Sequence, residues 1–291
     1  MNRFLKFSLL TVGLLTIGAC AVNEVLREQV AMRLAGPAWM IKRPIEADPY
    51  LLTAFERMHE RERPATVYIE GDGEAHELKG PLFDPTPHNP VGLHLASMDK
   101  SANLAYLARP CQYTGLLDHE VECSSEEWHG TKYNSATIQA YQGVMNNIKA
   151  RYGVNSFHLV GYNGGATLAA ILAAERKDVL SLRTVAGRFD MQALGSSMPS
   201  LRALPQHHFI GGQDEITPPS ELHGYLQALG ETECADYTLI QENEHEKGWV
   251  NKWPELLKTK VPSCYVPPEP TFVPIEKPEP IYVPRMGGAK K

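Results

Sequence analysis

The chain has 291 residues, of which 43% are hydrophobic and 21% charged, with a formal net charge of -6. That length allows one sizeable domain plus appendages, and the composition is that of a globular chain rather than a disordered or polytopic membrane one. The acidic balance leaves no basic footprint, so no nucleic-acid partner is expected, and no block recurs at the spacing of a repeat protein.

Residues 1–19 read as a leader. Arg3 and Lys6 precede an apolar run over 8–17 that is too short to span a bilayer. The run ends in Ile17-Gly18-Ala19-Cys20, which resembles the bacterial lipobox. That resemblance implies cleavage before Cys20 and acylation of Cys20, and several acyl chains anchor where one is marginal. The alternative is a plain signal peptide with an incidental cysteine. Ala21, in place of an aspartate, favours an outer-membrane position facing the periplasm. Residues 20–37 then form anchor and tether. Val25, Leu26, Val30 and Leu34 within them have the spacing of a short amphipathic helix.

From residue 38 to 262 a single domain is expected. Short strands are predicted around 39–41 and 50–55, then over 66–70, 104–107, 157–161, 182–186, 208–211 and 237–240. Helical patterns fall between them, over 89–99, 134–152, 164–177, 219–229 and 249–259. Strands alternating with helices predict an α/β fold, a mostly parallel sheet with helices on both faces. Trp249 and Trp253 stand at helical spacing and read as core. The polar segment 112–133 follows a strand end and is expected to form a partial lid over the ligand crevice. The tail, 263–291, carries prolines at 267, 268, 270, 274, 278, 280 and 284, which favours polyproline II. It reads either as a docking segment for a protein partner or as a spacer.

Besides Cys20 there are four cysteines: Cys111, Cys123, Cys234 and Cys264. An even number in an exported chain suggests disulfides, with three connectivities open. The local pairs Cys111–Cys123 and Cys234–Cys264 are the simplest. No C-x-x-C or suitably spaced histidine favours a metal, and no cofactor is expected. His207 and His208 alternate faces of a strand, so they do not share an ion. His245-Glu246 is not an H-E-x-x-H motif, because Trp249 stands at its end.

The chemistry centres on Gly161-Tyr162-Asn163-Gly164-Gly165, between a buried strand and a helix. This is the context of a G-x-S-x-G nucleophile elbow, whose glycines let helix and strand approach closely. Asp214 follows a later strand, and His245 lies in the loop after the last one. On these residues the chain resembles the α/β-hydrolase superfamily and, within it, a proteobacterial group of hydrolase-like lipoproteins. The likeness is carried also by Tyr68-Ile69-Glu70-Gly71-Asp72-Gly73, Asp84-Pro85-Thr86-Pro87, Asn89-Pro90 and Arg109-Pro110-Cys111-Gln112-Tyr113. It implies Asp214 and His245 as catalytic acid and base, and an oxyanion hole from the loop of Gly71 and Asp72 together with the Gly164 amide.

The departure from that pattern is Asn163 at the nucleophile position. A carboxamide nitrogen is delocalised, and a histidine base cannot make it a nucleophile. Three readings follow. The first is a pseudo-hydrolase that keeps a pocket for a small-molecule or acyl ligand. The second is an active ester or amide hydrolase with an atypical mechanism, through water activated by His245 or through deamidation of the Asn163-Gly164 pair. The third is an envelope scaffold acting through its tail.

Overall fold

The computed structural model describes residues 25–73, 85–114 and 132–264. Cys20, Cys123, most of the 112–133 segment and the tail beyond Cys264 lie outside them. A helix over 25–35 (α1) opens the described chain. It buries Arg27, Ala31 and Ala35, four residues apart, while Val25 and Leu26 are 53% and 54% exposed. The outer turn of the expected apolar stripe therefore faces out. Arg27 can turn inward because its guanidinium donates to the Thr86 carbonyl at 2.7 Å.

A strand was expected near 39–41, but a 3-10 turn over Gly36–Ala38 puts Trp39 in the left-handed region at φ 59° and leaves it 79% exposed. The first strand, β1, is instead Ile41–Ala47. It pairs antiparallel with β2 (Tyr50–Met58) through the Asp48-Pro49 turn. Pro44 offers no N–H to the ladder, which an edge strand tolerates.

The remaining strands are β3 (Ala65–Ile69), β4 (Asn103–Leu107), β5 (Phe157–Tyr162), β6 (Val179–Val185), β7 (Gln206–Gly211) and β8 (Ala235–Ile240). The sheet order is β1-β2-β4-β3-β5-β6-β7-β8, with β2 antiparallel to both neighbours and the other pairings parallel. The longer helices are α2 (Val91–Met98), α3 (Ser135–Tyr152), α4 (Gly165–Glu175), α5 (Pro219–Leu229) and α6 (Trp249–Leu256). Local sequence sets their ends. The Asn134 side chain accepts from the Thr137 N–H to cap α3, and Gly153 at φ 67° closes it. Pro219 fits the first turn of α5, where its missing N–H costs nothing.

Alternation along the strands splits the core in two. Val67 and Ile69 pack with Tyr141 and Val144 of α3 and Leu168 of α4. Tyr68 points the other way, into a cluster with Ala31 of α1, Leu93 of α2 and Trp249 and Trp253 of α6. The expected two-faced α/β sandwich is what forms. Its parallel strands bring the loops after β3, β5, β6, β7 and β8 to one edge, where ligands bind in such sheets.

Candidate functional site

The turn between β5 and α4 is sharp. Asn163 sits at φ 48°, and its carbonyl accepts from Ala166 and Arg188 N–H groups at 3.0 Å each. Gly161 has to be glycine, since a Cβ there would lie 2.5 Å from Ala166 Cα. Gly164 has to be glycine because a Cβ would run into the Asp72 carboxylate. The Gly164 N–H donates to Asn163 Oδ1. That contact fixes the amide orientation, because an N–H can only face the oxygen. The Asn163 amino group then lies 2.5 Å from His245 Nε2.

His245 reaches this point from the loop after β8. Its Nδ1 is 2.9 Å from Asp214 Oδ2. Burial alone would raise the Asp214 pKa, but the bonds from His245 and Thr217 outweigh it and hold the carboxyl below the usual range. An ionised Asp214 accepts only, so His245 carries its proton on Nδ1 and accepts the Asn163 N–H at Nε2. Thr217 completes the cluster. Its hydroxyl donates to Asp214 Oδ2 at 2.7 Å, and its N–H to Asp214 Oδ1 at 2.8 Å. Trp249, at the start of α6, donates its indole N–H to the His245 carbonyl at 2.9 Å and so pins the loop. The flanking acids engage elsewhere: Glu244 with Lys247, and Glu246 with Asn89.

The loop after β3 is also heavily bonded. The Gly71 N–H donates to Glu70 Oε1 at 2.9 Å. Glu70 further accepts from Gly92 and Leu93 N–H at the start of α2 and from the Tyr106 hydroxyl. Burial pushes the Glu70 pKa up, against the pull of these donors. Asp72 meets Arg109 at 3.2 Å and Lys132 at 2.8 Å. Its burial is outweighed by these two cations, with Arg188 adding to them, and its pKa falls. Asn163, Asp214, His245, Gly71, Asp72 and Gly164 thus come together, and a pocket of about 290 Å³ is lined by Gly71, Asp72, Asn163, Arg188, His245 and Glu246 among others.

The other expected site residues lie apart from it. Cys234 and Cys264 are disulfide-bonded to each other, and Cys111 is also in a disulfide. His207 and His208 bond Thr238 and Thr184, on strands to opposite sides of β7. Sequence reasoning missed Thr217, Arg188, Arg109 and Lys132 as parts of the site. An Asp followed at the third position by Thr before two prolines is a turn signal for Thr217. The other three are joined to the site only by the fold.

Chemically, a histidine paired with a carboxylate is in place, but the side chain it meets is a carboxamide. Among the described residues no serine lines the pocket. Asn163 occupies the histidine's free nitrogen with one end and the Gly164 amide with the other.

No protein-family signature and no curated protein matches the sequence. Solved structures do match the fold. An alpha-beta serine hydrolase homologue from Coxiella burnetii superposes with a TM-score of 0.55 at 16% identity, covering 74% of this chain and 93% of its own. A membrane phospholipase A, described as a bacterial virulence factor, gives 0.54 at 16% identity, covering 88% and 98%. An esterase from Pyrococcus furiosus gives 0.52 at 11%, covering 76% and 88%. At such identities the likeness shows architecture alone, and with the eight-stranded order described above it shows that this chain has the α/β-hydrolase fold.

Proposed function

We propose that this protein is a catalytically degenerate hydrolase that binds a ligand in its pocket without turning it over. The observation that carries the reading is the Asn163 carboxamide, bonded at once to Gly164 N–H and His245 Nε2. A working acyl-transfer site keeps its oxyanion donors free for substrate and its histidine bonded to a nucleophile. Here the Gly71 amide is engaged by Glu70 and the Gly164 amide by Asn163. The similar structures include an esterase and a phospholipase, which supports an acyl compound as the ligand class.

The test is hydrolysis of chromogenic esters of rising chain length by the wild type and by Asn163→Ser. An inert wild type and an active serine variant are expected. Turnover by the wild type at ordinary serine-hydrolase rates sinks the reading. An intact-mass gain of about one dalton would then point to a deamidated Asn163 as the nucleophile.

The same reading holds the chain in a bacterial cell envelope on an acylated Cys20. The sequence around Cys20 supports this, as do the exposed Val25, Leu26 and Met32 a few residues later on α1. Labelled palmitate should enter the wild type and not Cys20→Ser; equal labelling of both would refute the anchor.

A further inference from the structure

The geometry points to an anionic ligand: a carboxylate or phosphate group held by Arg188 beside the elbow. The inference deepens the pocket reading above and rests on it. Three cations gather on one carboxylate, since Arg109 and Lys132 bond Asp72 and Arg188 acts on it through its charge. Arg109 and Lys132 are nearly buried, with side chains 6% and 13% exposed. Among the described residues Arg109 Nε is buried with no hydrogen-bond partner. Both cations also stand over the Tyr133 ring, at 5.4 and 5.3 Å from its centroid. Buried charge is costly unless paired, and among the described residues three cations share the Asp72 carboxylate, an arrangement that a further anion would balance.

Arg188 is the member of this group that lines the pocket. Among the described residues its guanidinium has no hydrogen-bond or ion-pair partner. Its backbone is fixed from both sides, the N–H on the Asn163 carbonyl at 3.0 Å and the carbonyl on the Thr167 hydroxyl at 2.8 Å. A planar guanidinium on a fixed backbone is suited to a two-pronged grip on a carboxylate or phosphate. Among the described residues the nearby acids make their hydrogen bonds to other groups. Glu70 is taken up by four donors, Asp214 by Thr217 and His245, and Glu246 by Asn89.

The test follows thermal unfolding of the full chain against butyrate, inorganic phosphate and neutral butyramide, with ionic strength matched by chloride. Butyrate or phosphate should raise the Tm saturably, and the tighter of the two identifies which anion the site is built for. Butyramide should leave it unchanged. Arg188→Gln should weaken binding about tenfold or more, the scale of a lost charged hydrogen bond. An equal rise with butyramide, a rise that chloride reproduces, or unchanged affinity in Arg188→Gln overturns the inference. The comparison of butyrate with butyramide on the wild type decides the matter even if the variant folds poorly. Ester turnover in the same preparations separates the two readings. A turning-over wild type that still binds the anion refutes only the degenerate site, and an inert wild type indifferent to anions refutes only this inference.

Discussion

At position 163 the backbone suits asparagine better than serine. A φ of 48° is left-handed, and among residues with a side chain Asn tolerates that region best. The carboxamide also satisfies Gly164 N–H and His245 Nε2 from two separate atoms, where serine would have to serve both through one shorter hydroxyl. Asn163→Ser should therefore be less stable by about 1–3 kcal/mol even as it gains a nucleophile. Urea midpoints of the two proteins measure this, and an equal or higher midpoint in the serine variant would show that the bridge contributes nothing. The position itself was legible in sequence because glycines at 161 and 165 are demanded by backbone contact. The contents of its neighbourhood were not. Arg188 reaches the site through the loop after β6, and Lys132 from 60 residues past Asp72, so neither announces itself by spacing.

Within the elements, β7 shows how a strand can carry a titrating group into the core. His208 is wholly buried between Thr184 on β6 and Gln206 on its own strand, with Tyr225 of α5 packed edge-on. Burial, with a smaller push from His207, lowers its pKa from 6.5 to about 3. The folded state thus holds His208 neutral where the unfolded chain has begun to protonate. Its contribution is fully present above pH 6.5 and is lost as pH falls toward about 3. The slope from this one group approaches about 1.4 kcal/mol per pH unit in that window. Denaturant midpoints of the wild type and His208→Asn, taken from pH 7 down to 4, should converge as the pH drops. Parallel curves would mean that His208 is not held neutral. The sequence pattern found β7 with His207 and His208 at its start but left out Gln206, whose N–H is taken by the Cys234 carbonyl where β8 pairs with it. Likewise it ran α6 on to 259, where the helix ends at Leu256 and only single turns continue.

For the whole molecule, alternation of strand and helix predicted the layers, since each strand buried on both faces must be apolar throughout. It could not predict that β4 inserts between β2 and β3, because order depends on which edges meet and not on any one segment. Among the three cysteine connectivities it could favour the pair Cys234–Cys264 only as the simplest, and the sheet brings that pair together by setting the start of β8 beside the chain that leaves α6. The Cys234–Cys264 bond closes a separation of 30 residues containing β8, the His245 loop and α6. In the chain-entropy view a crosslink over that span is worth about 3–4 kcal/mol, through the unfolded state. Its second effect is local. β8 is an edge strand with a half-exposed pattern, and the crosslinked segment ends with Trp249 and Trp253 as its main anchors in the core. Opening the bond in Cys234→Ser/Cys264→Ser should thus cost that much in global stability and loosen the His245 loop more than the elbow. Amide exchange resolves the two. Faster exchange over 235–256 with residues 157–172 still protected is the expected outcome, whereas a uniform change across both would show that the crosslink acts on the unfolded chain alone.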